Sequence, residues 1–294
     1  MKNQRWIRFA SIGLCLSIAL ALGCAPSASA QQDSDQPPSD NPQCTDKNLQ
    51  GRYGYTMSGW LVGPLRPVAA VGVLTFDGEG ILNAQDTFNN SVAISRHTTG
   101  VGTYTVNPNC TGSASIDLTS DPNSPPIDLE HLQFDFMIIP GTNGSEFSLI
   151  VTNSGTVETG VAQRIPEEEC TVATVQGTYR LAANGYLLGT EPTEPTEPIA
   201  SPTASVGIRI VDGAGNLSGH DTVSNTGSIV PRDVLAAYTV NSDCTGTQTW
   251  IDGQTFDWVI VAGGTQVFFI RTDHPAIKIA SGTYKKQFGS DEQD

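Results

Sequence analysis

Apolar and polar residues alternate in eight short runs between Gly51 and Arg164, near 51–59, 67–77, 80–88, 100–107, 111–118, 131–139, 145–152 and 156–164. A period of two puts one face of each run in a core and the other in water, the pattern of a strand and not of a helix. Asp77-Gly78-Glu79-Gly80, Asn107-Pro108-Asn109 and Asn153-Ser154-Gly155 each join two runs by a tight turn. Connections that short allow only antiparallel neighbours. Eight such strands in sequence leave two bare edges unless the sheet closes, so the pattern predicts an all-β, up-and-down antiparallel barrel. A β-sandwich is the alternative. The run at 131–139 is apolar on both faces, with Phe134 and Phe136 on one and Met137 and Ile139 on the other. Either a neighbouring unit covers its outer face, or that face carries scattered exposed aliphatics.

The unit is written twice. Cys44 to Gly63 (CTDKNLQGRYGYTMSGWLVG) matches Cys170 to Gly189 (CTVATVQGTYRLAANGYLLG), 126 positions on. Val71-Gly72 and Asp77-Gly78-Glu79-Gly80 match Val206-Gly207 and Asp212-Gly213-Ala214-Gly215, now 135 positions on. The nine extra residues correspond to Thr190 to Pro198 (TEPTEPTEP), expected to run as extended polyproline II. Thr103 to Gly112 matches Ala237 to Gly246, and Phe134-Asp135-Phe136 matches Phe256-Asp257-Trp258. Two tandem eight-stranded barrels are therefore expected, over 44–165 and 170–287, with a disordered tail at 288–294.

Ahead of them, Lys2, Arg5 and Arg8 precede an apolar run from Phe9 to Leu22, and Ala28-Ser29-Ala30 offers a cleavage site. Residues 1–30 read as an export signal, with an apolar run too short to span a bilayer comfortably. Ala21-Leu22-Gly23-Cys24 resembles a bacterial lipobox, so a lipid anchor at Cys24 is an outcome beside free secretion. Residues 31–43 have little to bury and read as a disordered tether. The expected destination is the periplasm, the medium or the outer surface. Cys44, Cys110, Cys170 and Cys244 are left after the leader. Of three pairings, only Cys44 with Cys110 and Cys170 with Cys244 keeps each repeat self-contained. These cysteines are far apart in sequence, and His97, His131, His220 and His274 are not repeated, so neither a metal site nor a cofactor is expected.

Fifteen basic against thirty acidic residues give a net charge of −15. Losing Lys2, Arg5 and Arg8 leaves twelve against thirty, or −18. Polyanions are bound by clustered Lys and Arg, so nucleic acid and anionic membranes are not expected partners.

The Gly-x-Tyr opening (Gly51-Arg52-Tyr53; Gly177-Thr178-Tyr179), the eight-strand meander and a basic residue on the last strand (Arg164; Lys285) resemble the calycin pattern of lipocalin-like barrels. In outline the allene oxide cyclase and dirigent barrels are similar. GTYTVNPNCTG, ending at Gly112, and FDGEG, ending at Gly80, resemble segments of bacterial exported proteins of unassigned role. The resemblance covers both repeats and implies the barrel architecture; it brings no catalytic motif.

Three carboxylates recur, as Asp77/Asp212, Asp86/Asp221 and Asp135/Asp257. The first pair reads as a hairpin cap. The others lie in strand-like runs, where exposure or a structural hydrogen bond is expected before acid–base work. Glu167-Glu168-Glu169, between the repeats, reads as a solvated linker. Nucleophile-elbow, P-loop and zinc-protease motifs are absent from the sequence. The chain thus reads as an exported binding or cell-surface protein rather than an enzyme, holding a small apolar molecule in one or both barrels or meeting a cell-envelope protein. A barrel-type cyclase or isomerase and a structural or adhesive envelope protein are the alternatives, and a buried, desolvated acid inside a barrel would mark the enzyme. The disulfide end of each barrel should be closed and the opposite rim, with long connections at 60–66, 89–99 and 119–130, should work. Trp60, Arg96, His97 and His131, with Tyr186 and Arg232 in the second repeat, are therefore the candidate ligand-binding residues.

Overall fold

The computed structural model describes residues 43–63, 65–120, 131–189, 199–274 and 278–287, without the side chains of 97–99, 120 and 199. The leader, nearly all of the tether, the insertion from Thr190 to Pro198 and the tail at 288–294 lie outside the described residues. The first repeat contains β1 (Gln50–Leu61), β2 (Arg66–Asp77), β3 (Ile81–Asn89), β4 (Ile94–Val106), β5 (Thr111–Ser120), β6 (His131–Ile138), β7 (Glu146–Val151) and β8 (Thr156–Arg164). The second contains β9 (Gly177–Gly189), β10 (Ile199–Val211), β11 (Asn216–Asn225), β12 (Ser228–Val240), β13 (Thr245–Trp250), β14 (Thr255–Val261), β15 (Gln266–Arg271) and β16 (Lys278–Lys286). Each set pairs antiparallel in sequence order and closes first strand on last, giving two closed barrels and excluding the sandwich.

Turn chemistry works as its residues dictate. Asp77 Oδ1 accepts the backbone N–H groups of Glu79 (2.7 Å) and Ile81 (3.0 Å), and Gly78 and Gly80 take φ of 84° and 107°. Asp212 repeats this on Ala214 (2.7 Å) and Asn216 (2.9 Å). Asn216 Nδ2 also donates to Asp212 Oδ2 at 2.7 Å, and this bond first, with the backbone ones, holds that carboxyl below the usual range as the backbone bonds do for Asp77.

One end of each barrel is stoppered. Short 3-10 turns at Asp46–Leu49 and Val172–Val175 bury Leu49 and Val175 completely. Tyr104 and Tyr238 donate their hydroxyls to the carbonyls of Asp46 (3.1 Å) and Val172 (3.0 Å), pinning the turns to the walls. The disulfides are Cys44–Cys110 and Cys170–Cys244, spanning 66 and 74 residues. By loop-closure entropy each is worth about 4 kcal/mol. At the same end Arg164 lies 4.9 Å from the ring centre of Tyr53 and donates to its hydroxyl at 2.6 Å. In the second repeat this place belongs to Lys286, which pairs with Tyr179, and not to Lys285, which pairs with Arg180 on the outer face.

The rim differs from expectation at two places: the connection expected at 60–66 is only residues 62–65, with Trp60 on β1 paired to Pro67. The connection expected at 89–99 shrinks to four residues, because Ser91 takes φ of 74° and Asn90 Oδ1 accepts the N–H groups of Val92 (3.1 Å) and Ala93 (2.9 Å). Arg96 and His97 therefore stand on β4 and not on a loop.

Both barrels belong to one compact unit, Pro42–Asp294. The outer face of β2 (Ala69, Val71, Val73) is buried in one cluster with the outer face of β14 and β15 (Val259, Val261, Phe268, Ile270). Gly54 on β1 permits the approach, since a Cβ there would lie 2.4 Å from Cγ1 of both Val259 and Val261. Polar contacts frame the seam. Asp257 Oδ2 accepts from Thr87 Oγ1 (2.7 Å) and Arg96 Nη2 (3.0 Å), and Arg52 Nη2 donates to the Asp243 carbonyl at 2.5 Å. Both readings of the doubly apolar strand thus hold, one in each repeat: β14 is covered on its outer face, while Met137 on β6 is 48% exposed.

Candidate functional site

The end of the second barrel opposite its disulfide holds a cavity of about 30 Å³, lined by Arg209, Arg232, Trp250, Arg271, Lys278 and Tyr284 with apolar walls from Leu181, Phe256 and Phe269. That volume takes a water molecule or a small anion. The recurrent carboxylate organises it: Asp221 Oδ2 accepts from Arg209 Nη2 at 2.5 Å and Asp221 Oδ1 from Arg232 Nε at 2.6 Å. The Asp221 and Arg209 side chains are fully buried. Burial works to raise the Asp221 carboxyl, but Arg232 and Arg209 outweigh it and the group titrates below the usual range. Arg232 and Arg209 lie 4.6 and 5.5 Å from the ring centre of Trp250, a cation–π arrangement. Arg271 is held by Asp273 through bonds of 2.6 Å from Nε and Nη2. Burial, then the charges of Arg271 and Arg232, pull Lys278 down to about 8. Four cations thus converge on two carboxylates. Hydrogen-bond donors are in surplus too, since Arg209 Nε, Gln248 Nε2, Trp250 Nε1 and Trp258 Nε1 are buried without an acceptor. Tyr284 meanwhile spends its proton on Gln248 Oε1 at 3.0 Å.

The first barrel builds the opposite environment around the same scaffold position. Asp86, the counterpart of Asp221, accepts the Tyr55 hydroxyl at 2.5 Å inside the barrel. Glu158, on the inward face of β8 across from Gly59, is 1% exposed and neither of its carboxyl oxygens has a hydrogen-bond partner. Burial, then the charge of Asp86, pushes it up to about 7. Burial and the two acids also raise Tyr55 well above its ordinary value. The second barrel has Leu181 at the place of Tyr55 and Ala280 at that of Glu158, and the first has Leu74 at that of Arg209.

Of the residues singled out from sequence, only Arg232 belongs to the second-barrel cluster. Trp60 and Tyr186 occupy equivalent places on β1 and β9, point outward and meet each other, ring centres 4.8 Å apart, across the seam between the barrels. Arg96 also serves the seam, through Asp257. His131 is exposed at the start of β6, its Nδ1 2.7 Å from Asp117 Oδ1. His97 faces Asp86 in the β3–β4 ladder, and its side chain lies outside those described. Arg209, Trp250, Lys278, Tyr55 and Glu158 were not anticipated; except for Lys278, which stands where the first repeat has Thr156, their signal would have been inward-facing polar or aromatic residues at positions the other repeat fills with aliphatic ones.

No family model matches the chain, and no curated protein matches it. Among solved structures, kievitone hydratase from Nectria haematococca is similar over 81% of this chain and 90% of its own, at 6% identity and a TM-score of 0.26. A protein of unknown function from the DUF3598 family of Nostoc punctiforme is similar over 83% of this chain and 100% of its own, at 8% identity and a TM-score of 0.23. Likenesses this distant carry nothing about activity.

Proposed function

We propose that the protein is an exported binding protein, and that the mouth of its second barrel receives a small molecule through an anionic group, a carboxylate fitting best. The surplus of cations around the cavity, with the unmatched donors Arg209 Nε and Trp250 Nε1 on its wall, supports this reading. A carboxylate accepts from a guanidinium fork and an ammonium together. Leu181, Phe256 and Phe269 suit a short apolar body behind it. The ligand is then apolar with a negative head, which narrows the expectation from the sequence. The chain as a whole repels anions at −15, so affinity must come from short-range contacts inside the barrel, where salt screens least. The leader supports export, and two disulfides are consistent with an oxidising compartment.

The test is calorimetric titration of the mature protein with butyrate and, as the uncharged match, butanol. Butyrate should bind saturably and butanol should not. Lys278→Met should weaken butyrate about tenfold or more, the worth of a hydrogen bond to a charged group. Affinity should also fall as pH rises through about 8, where Lys278 loses its proton. Equal binding of butanol, or butyrate binding indifferent to Lys278→Met, would overturn the reading.

A further inference from the structure

We infer that the first barrel holds a second site of opposite polarity, in which Glu158 seats the cationic end of a small amine, a primary ammonium. Glu158 is 1% exposed with both oxygens unmatched, and a buried orphan of this kind in a folded protein asks for an explanation. Among the described side chains, the tyrosine beside Asp86 does not supply the missing donor. The Tyr55 hydroxyl has one proton and gives it to Asp86. Comparison of the repeats removes a purely structural reason, because the second barrel closes with Ala280 at the same place, opposite Gly185 as Glu158 is opposite Gly59.

The same comparison indicates what the site takes. In the second barrel the chain itself provides the cation, Arg209, beside the recurrent aspartate. In the first barrel Leu74 stands at that position, His97 faces Asp86 from the neighbouring strand, and a second acid, Glu158, is added on β8. An ammonium brings three N–H donors, two of which Glu158 can accept. Ser95 Oγ, buried without a partner on the inward face of β4 across from Phe88, is a further acceptor in that interior. The net charge of the chain concentrates cations near it, the reverse of its effect on the anion proposed for the second barrel.

Hydrogen exchange on the full mature protein, at pH 8 in amine-free phosphate buffer, provides the test. The probes are butylammonium and tetramethylammonium chlorides at equal ionic strength, the second having the charge without an N–H donor. Butylammonium should slow exchange in β1, β3 and β8 and leave the second barrel unchanged, while tetramethylammonium should do neither. Glu158→Gln, which keeps the side-chain shape, should weaken the butylammonium effect about tenfold or more, and Glu158→Asp should retain part of it. The effect should vanish at pH 5, where the carboxyl holds its proton, and survive in Lys278→Met. Equal protection by tetramethylammonium, or undiminished protection in Glu158→Gln, would sink the inference.

Discussion

Removing the charge of Glu158 without changing its shape should abolish most of the pH dependence of the first barrel's stability. The carboxyl rises from 4.5 to about 7 on folding, because burial and then the nearby Asp86 disfavour its ionised form. The folded state therefore holds this proton more tightly than the unfolded chain does. The stabilisation is complete below pH 4.5 and is lost as pH rises through about 7. A shift of that size corresponds to about 3 kcal/mol between pH 4.5 and pH 8.5, a large share of the ~5–15 kcal/mol that holds an ordinary domain together. Glu158→Gln has no proton to lose over this range. Its own unmatched amide lowers stability by a roughly constant amount, so the informative quantity is the difference between the two pH profiles. Urea-dependent hydrogen exchange, read on amides of β1 and β8 in amine-free buffer, reports the first barrel separately from the second. Wild type should lose about 3 kcal/mol across the range while Glu158→Gln stays nearly level. Parallel profiles would refute the assignment of Glu158 as the buried, proton-holding group.

Two further substitutions probe the second barrel and the seam. Asp221→Asn leaves Arg209 buried without its counter-ion and should destabilise the second barrel by about 3–5 kcal/mol, seen as a lower urea midpoint for exchange in β10 and β11; an unchanged midpoint would mean that the pair is not the internal anchor described. Gly54→Ala places a methyl against Val259 and Val261 at a strand position where alanine itself is not disfavoured. Crowding there should cost about 1–3 kcal/mol and weaken the Trp60–Tyr186 contact in nuclear Overhauser spectra, whereas an intact contact with no loss of stability would show that the seam tolerates the bulk.

Topology was legible because alternation and turn chemistry agree. Seven of the eight runs read in the first repeat begin within two residues of the observed strands, and the exception, β4, starts six residues early at Ile94 because a tight Asn90-Ser91 turn sits inside what reads as polar loop. The interior clusters were not legible, since at these places alternation points the wrong way. Val206, Ile208 and Ile210 face solvent at 64%, 45% and 53% exposure while Arg209 between them is inside. Val157 is likewise 62% exposed beside the buried Glu158. Register is set by the whole strand and its neighbours, and a few charged residues on the inner face are carried along with it. Asp86 and Asp221 were found because they recur. Of their partners Arg232 was singled out as a rim residue, whereas Arg209 and Tyr55 were missed because they are where the repeats diverge.

The seam between the barrels joins unlike surfaces: the β2 face of one repeat meets the β14–β15 face of the next. A head-to-tail contact between homologous units has no intrinsic end, and repeated from chain to chain it builds a fibre. Both surfaces needed for continuation are exposed here, as Val206, Ile208 and Ile210 on β10 and Met137 and Ile150 on β6 and β7. Two positions distinguish the exposed surfaces from those joined in the seam. Arg180 stands where Gly54 lets the valines in, and Pro231 holds the register place of Arg96, which clasps Asp257 across the seam. The free faces of the tandem thus differ, at the glycine and the arginine, from the faces that build its internal seam.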